Sequence, residues 1–216
     1  MSEASDPRPQ NQPADLPALE EAILSGDPSR SMPALVGLRE VPDEQAVPLL
    51  LRGLEQSAFI VRSLSCAGLG VKQTEAGWEA LVQAVHHDED ANVRAEAANA
   101  LVSYGLERAW PVVLEAFRAD TQWLLRCSVL SAVAEHPEAR AADLLELAEL
   151  ALADADDTVR VGGTEILGRL VQQSSAPADA GVVERARTLL SGLQQDGDHR
   201  VVAAALNGLQ GKAAEG

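Results

Sequence analysis

Four arginines, Arg62, Arg94, Arg126 and Arg160, each follow an aliphatic residue (Val61, Val93, Leu125, Val159), and they recur at steps of 32, 32 and 34 residues. A guanidinium binds a carboxylate through two parallel hydrogen bonds, so this column has the chemistry to read an acidic partner loop or the propionates of a tetrapyrrole. A second reading keeps the charge inside the protein. Asp88 and Asp90, Asp120, and Asp154, Asp156 and Asp157 stand three to six residues ahead of the last three arginines. They would consume the guanidinium charges in an Asp–Arg ladder joining repeat to repeat, with Asp90 and Asp156 among its acidic members. One exposed pair contributes only about 0 to 1 kcal/mol, although a network does better. The regular spacing favours the ladder.

The two cysteines, Cys66 and Cys127, carry the other versatile chemistry, since a thiolate binds soft metals and attacks electrophilic chromophores. They stand four and one residues after their arginines and a whole repeat apart. Helices pack about 8 to 10 Å apart, so the two thiols are too far apart to act jointly. Cys66 falls near a buried stripe. Cys127 faces an open groove, either as a reactive contact or as a packed free thiol. The run His86-His87-Asp88-Glu89-Asp90 has metal-ligand types in a row, but adjacent side chains diverge, and an acidic turn before a helix explains it. Nucleophile-elbow, phosphate-loop and H-E-x-x-H patterns are missing from the sequence, so no catalytic residue, metal or resident cofactor is expected.

The elements that must position these residues follow from the same period. Recurrence at this interval marks a solenoid, in which each unit buries its apolar face only against its neighbours. Of 216 residues, 46% are hydrophobic but only 3% aromatic, so Ala, Leu and Val must build closely approaching helices. Offsets −1, +3, +6 and +7 from each arginine are apolar or small, as a buried helical stripe requires, whereas offset +5 (Asn99, Ser131, Glu165, Asn207) is polar. This predicts an all-α, right-handed α-solenoid of about six helix pairs over residues 15–209. Its first outer helix is capped by Asp15 and its second starts at Asp43. A disordered, proline-containing tail is expected over 1–14, a connection over about 171–181, which would explain the longer last step of 42 residues to Val202, and a frayed tail over 210–216. Pro48 and Pro111 fall near the starts of outer helices.

Two aromatics break the pattern. Phe59 and Trp123 stand three residues before their arginines, where Ala91, Asp157 and His199 occupy the same column. Such residues are either interface anchors on a groove rim or local cap packing. Trp78 and Trp110 share one column on the outer helices and are expected to pack between repeats, in the core. Asn99, Cys127 and Ser131, with Ser63, Ala67 and Ala95, form a small, weakly charged inner surface.

A net charge of −16 repels phosphate backbones and anionic lipid. The chain has no apolar stretch near the roughly 18 residues that span a bilayer and no signal-peptide pattern, and two cysteines fit a reducing compartment. A cytoplasmic protein is expected.

The block from Asp88 to Leu101, an acidic turn followed by Val-Arg and an alanine-rich helix, resembles a HEAT repeat of the phycobilisome-lyase-like class, and the likeness extends over about residues 43–209. Phe59-Ile60-Val61-Arg62-Ser63, the block Asn92 to Leu101, and Trp123 to Leu130 look most like cyanobacterial members that associate with iron-sulfur assembly proteins of the IscA type. The resemblance implies a non-catalytic scaffold that binds a protein client, either such an IscA-type protein or a phycobiliprotein, with a bilin or iron-sulfur group present only as transient cargo. The alternative it implies is a phycobilin lyase subunit or bilin chaperone. Two other HEAT-repeat activities fit poorly. Deoxyhypusine hydroxylase carries His-Glu pairs after this arginine, where Ser63-Leu64, Ala95-Glu96, Cys127-Ser128 and Val161-Gly162 stand here, and a DNA glycosylase would need a basic groove.

Overall fold

The computed structural model describes residues 15–174 and 176–210, so the tails expected at the two ends lie outside the described residues, apart from Gln210. Among the described residues twelve α-helices follow one another: α1 (Leu16–Ile23), α2 (Pro28–Gly37), α3 (Asp43–Leu54), α4 (Phe59–Lys72), α5 (Glu75–His87), α6 (Ala91–Val102), α7 (Leu106–Ala119), α8 (Trp123–Glu135), α9 (Ala141–Leu152), α10 (Asp157–Gln173), α11 (Ala180–Leu193) and α12 (His199–Leu209). They form six consecutive pairs. The even-numbered helices stack on one another in a continuous row, α2 on α4 and so on to α12, while the odd-numbered helices form an outer layer. The result is an α-solenoid.

Local sequence sets the helix ends. Asp15, Asp27, Thr74, Asp90, Asp156 and Asp198 are N-caps whose side-chain oxygens accept backbone N–H groups of the first turn. Pro48 and Pro111 each occupy the sixth position of an outer helix, with their rings on the exposed side. The connection expected over 171–181 is shorter. Val171 is buried, so α10 continues to Gln173, and after a 3-10 turn at Pro177–Asp179 the next helix starts at Ala180.

The buried stripe follows the predicted one, except that Gly68, Ala132 and Leu209 are half-buried. Val61, Val93, Leu125, Val159 and Val201 are buried throughout, as are Ser65, Ala97, Val129, Gly163 and Ala205 three residues after the arginine column. Trp78 and Trp110 differ from the expectation: they are half-buried, lying on the flank of the core rather than in it. Cys66 is fully buried, and burial pushes its thiol up to about 12.

Where α10 and α12 cross, two glycines meet. A Cβ added at Gly168 would stand 2.9 Å from the Gly208 Cα, and one added at Gly208 would stand 2.7 Å from the Gly168 Cα. Backbone cannot yield as a side chain does. Gly168→Ala is therefore expected to cost about 1–3 kcal/mol through overpacking. Gly192→Ala, on α11 where nothing lies within 4 Å, should be neutral or stabilising by up to about 1 kcal/mol. Chemical unfolding followed by circular dichroism measures both.

Candidate partner-binding groove

The arginine column lies at the start of the inner helices, against the loops that lead into them, and here the pairing runs opposite to the local expectation. Arg62 donates Nε and Nη2 to the Asp88 carboxylate at 2.8 and 3.0 Å, and Arg94 donates the same two groups to Asp120 at 2.6 and 3.2 Å. Arg126 donates Nη2 to Asp154 at 3.1 Å, with its Nε 2.5 Å from the other carboxylate oxygen. Each partner lies 26 or 28 residues downstream, in the loop of the next repeat. The remaining Nη1 turns back onto its own loop, donating to the carbonyls of Gln56 and Ser57 from Arg62, of Asp88 and Glu89 from Arg94, and of Asp120 from Arg126.

Asp90 and Asp156 are therefore not ladder members. In each Asp-x-Asp turn the first carboxylate takes the preceding repeat's arginine and also accepts the N–H two residues on (Asp90, 2.9 Å; Asp156, 2.8 Å), while the second caps its own helix. Asp120 does the first of these jobs with Gln122, which leaves α8 without a side-chain cap. Arg160 is the irregular member. It binds Asp157 beside it and stands 3.6 Å from Asp196, the equivalent of the other partners. Position 202 is valine, and no loop beyond α12 is described for it to meet.

Ser31 takes the arginine's place in the first inner helix. Its buried Oγ lies within 3.0–3.2 Å of the carbonyls of Ala22, Ile23 and Asp27, so a hydroxyl holds the preceding loop where later repeats use a guanidinium. The divergence of this repeat hid that equivalence in the sequence.

With the arginines committed to the ladder, the open inner surface is left to other residues. At its N-terminal end Met32, Val36 and Val71 are exposed to 37, 64 and 56%, beside a hollow of about 170 Å³ lined by Leu35, Leu38, Leu50, Leu64 and Ala67. Gly68 lets Leu50 pack directly on α4 in the wall of that hollow, because a Cβ there would lie 2.5 Å from a Leu50 methyl. Two cations, Arg39 and Lys72, adjoin the hollow, and the second is engaged: Lys72 Nζ donates to the Arg39 and Val41 carbonyls and lies 3.2 Å from Asp43. Sequence reasoning missed this patch. The available signal was that Val36 and Val71 are aliphatic yet lie off the buried stripe.

Further along, Asn99 and Ser131 are exposed, and Cys127 is half-buried. Burial, reinforced by the nearby Asp156 carboxylate, raises the Cys127 thiol, so it is not an activated nucleophile. Glu96 is also half-buried and has no salt bridge among the described residues, and burial raises its carboxyl. Phe59 and Trp123 are the first residues of α4 and α8, exposed to 43 and 47%. One helix, α6, lies between theirs, so they stand on one edge as two separate aromatics rather than as one pocket. Among the described residues, no three His, Cys, Asp or Glu side chains form a group suited to a metal ion, and no helix is long and apolar enough to cross a membrane.

The sequence matches the family of HEAT repeats over residues 47–134 and again over 78–168, together more than half of the chain. The chain belongs to the HEAT-repeat family. No curated protein matches it in sequence. Among solved structures, a designed armadillo repeat protein in complex with the peptide (KR)4 superposes with a TM-score of 0.57 at 18% identity, covering 91% of this chain and 98% of that one. An engineered protein superposes with a TM-score of 0.54 at 20% identity, covering 91% and 97%. At these identities the likeness is one of fold.

In this HEAT-repeat protein the ladder makes stability depend on acid. Burial opposes the Asp120 carboxylate's charge, but Arg94 and the Gln122 N–H more than offset it and hold the carboxyl below its ordinary 3.8. A depressed carboxyl stabilises the fold fully above its unfolded-state value, and that stability is lost as pH falls through the native one. Asp120→Asn should cost about 3 kcal/mol at pH 7 by stranding Arg94. The gap to the wild type should narrow steadily below about pH 4. Urea unfolding at pH 7 and at pH 3 checks both.

Proposed function

We propose that this HEAT-repeat protein is a non-catalytic adaptor that holds a protein client against its inner helices. The observation that carries this reading is the open apolar hollow between α2 and α4, with the exposed Val36 and Val71 in its lining and Met32 exposed on the same helix as Val36. Exposed apolar surface rimmed by polar residues is the usual mark of a protein contact, and a hollow between helices suits an aliphatic anchor from an amphipathic segment. Glu96, Asn99 and Ser131 would continue the contact along the groove, with Cys127 as a packed surface. Phe59 and Trp123, exposed at its edge, would be anchors. A net charge of −16 favours a client with a basic face. That a designed armadillo protein of similar fold is known in complex with a peptide supports a protein segment as the kind of occupant.

The resemblance of the Asn92–Leu101 and Trp123–Leu130 blocks points to the client class: an IscA-type iron-sulfur protein, or a phycobiliprotein. Binding to each purified candidate can be measured by interferometry. One of them should bind, and Trp123→Ala and Val36→Asp should each weaken it about tenfold while moving the unfolding midpoint little, since both side chains are exposed. Unchanged affinity in both variants contradicts the groove reading. A red-shifted, sharpened phycocyanobilin band on titration with the protein would favour a bilin-handling role instead.

A further inference from the structure

The outer layer contains two copies of one arrangement, and only the first is filled. Around Trp78, Arg108 of the following repeat lies with its guanidinium carbon 3.9 Å from the ring centroid, and its Nη2 pairs with Glu75 at 2.5 Å. Tyr104 packs its ring edge-on against the same tryptophan, centroids 5.5 Å apart, and donates its hydroxyl to the Leu69 carbonyl. The guanidinium is thus held between an aromatic face and a carboxylate, which is the geometry that suits its planar, delocalised charge.

One repeat later every position has its counterpart 32 residues on: Glu107 for Glu75, Trp110 for Trp78, His136 for Tyr104 and Arg140 for Arg108. Arg140 does not fill its box. It donates Nε and Nη2 to Asp143, at 2.7 Å each, in the bidentate geometry that holds a guanidinium most firmly. The reason lies in the sequence. The position equivalent to Asp143 in the preceding repeat is Pro111, which has no carboxylate to draw Arg108 away from its tryptophan.

What remains is a hollow of about 480 Å³ lined by Leu106, Glu107, Trp110, Glu138, Arg140 and Asp143. Trp110 is half-buried in its wall, with no cation over its ring among the described residues. Glu107 and Glu138 are exposed and have no salt-bridge partner among the described residues. We propose that this hollow receives an arginine side chain of a partner protein, held over Trp110 and paired with Glu107 as Arg108 is held over Trp78 and paired with Glu75. The site lies at the inner-to-outer loops, the edge opposite Phe59 and Trp123, and so is separate from the groove contact.

The test follows the indole N–H resonances of the full chain by NMR, with the Trp110 signal assigned from Trp110→Phe. The probes are the peptide acetyl-Gly-Arg-Gly-amide and its citrulline counterpart, which keeps the shape but lacks the charge. The arginine peptide should shift the Trp110 resonance saturably and leave Trp78, already covered by Arg108, in place. Glu107→Gln should weaken the response at least fivefold, Arg140→Ala should keep or strengthen it, and Val36→Asp in the groove should leave it unchanged. A Trp110 resonance that does not move, that moves equally with citrulline, or that ignores Glu107→Gln overturns the proposal.

Discussion

The rest of the structure depends on a guanidinium placed between two loops. In each regular rung the arginine donates one end to carbonyls of its own loop and the other, as a fork, to the carboxylate of the next. These groups are largely removed from water: the Arg62 and Asp88 side chains are only 8 and 11% exposed. A charge so placed is costly unless its donors are satisfied, and the register of one repeat against the next satisfies them. In a solenoid, where each unit touches only its neighbours, such a local constraint propagates along the array. The outer layer has its own inter-repeat pairs, Arg52 with Glu20, Arg118 with Glu146 and Arg185 with Glu149, but those side chains are 40–55% exposed. Water screens them, so they contribute little to the register.

Departures from this regular device mark the places where the array does something else. Ser31 replaces the arginine in the first inner helix, and on that helix Val36 lines the apolar hollow. Arg160 turns to its own Asp157 and stands 3.6 Å from Asp196, and at the last helix pair α10 crosses α12 at two glycines. Asp143 draws Arg140 from its tryptophan and leaves a box unfilled. In each case one changed residue redirects a contact that its neighbours in the array make uniformly.

Much of the fold was legible in the sequence because repeat packing is periodic. The aliphatic residue before each arginine, the apolar or small residues three positions on and the Asp15 cap all follow from helical geometry acting on nearby positions. The direction of the Asp–Arg pairing was not legible. Proximity in sequence pointed from each arginine to the aspartates just ahead of it, whereas Asp88 and Asp154 reach back across the interface while Asp90 and Asp156 cap their own helices. The candidate site was read in part. Asn99, Ser131, Phe59 and Trp123 lie exposed as their columns indicated, but the hollow depends on how α2 leans on α4, which no local pattern encodes. The unfilled Trp110 box was visible only by comparing two repeats and asking why Pro111 and Asp143 differ.

The rungs couple neighbouring repeats. A double-mutant cycle on the most buried rung, Arg62→Met with Asp88→Asn, measures that coupling from unfolding free energies at neutral pH. The account predicts strong non-additivity, about 2 kcal/mol, with the double variant much less damaged than the two single losses combined. Additivity within about 0.5 kcal/mol would contradict it, and would mean that burial of the apolar stripe alone sets the register.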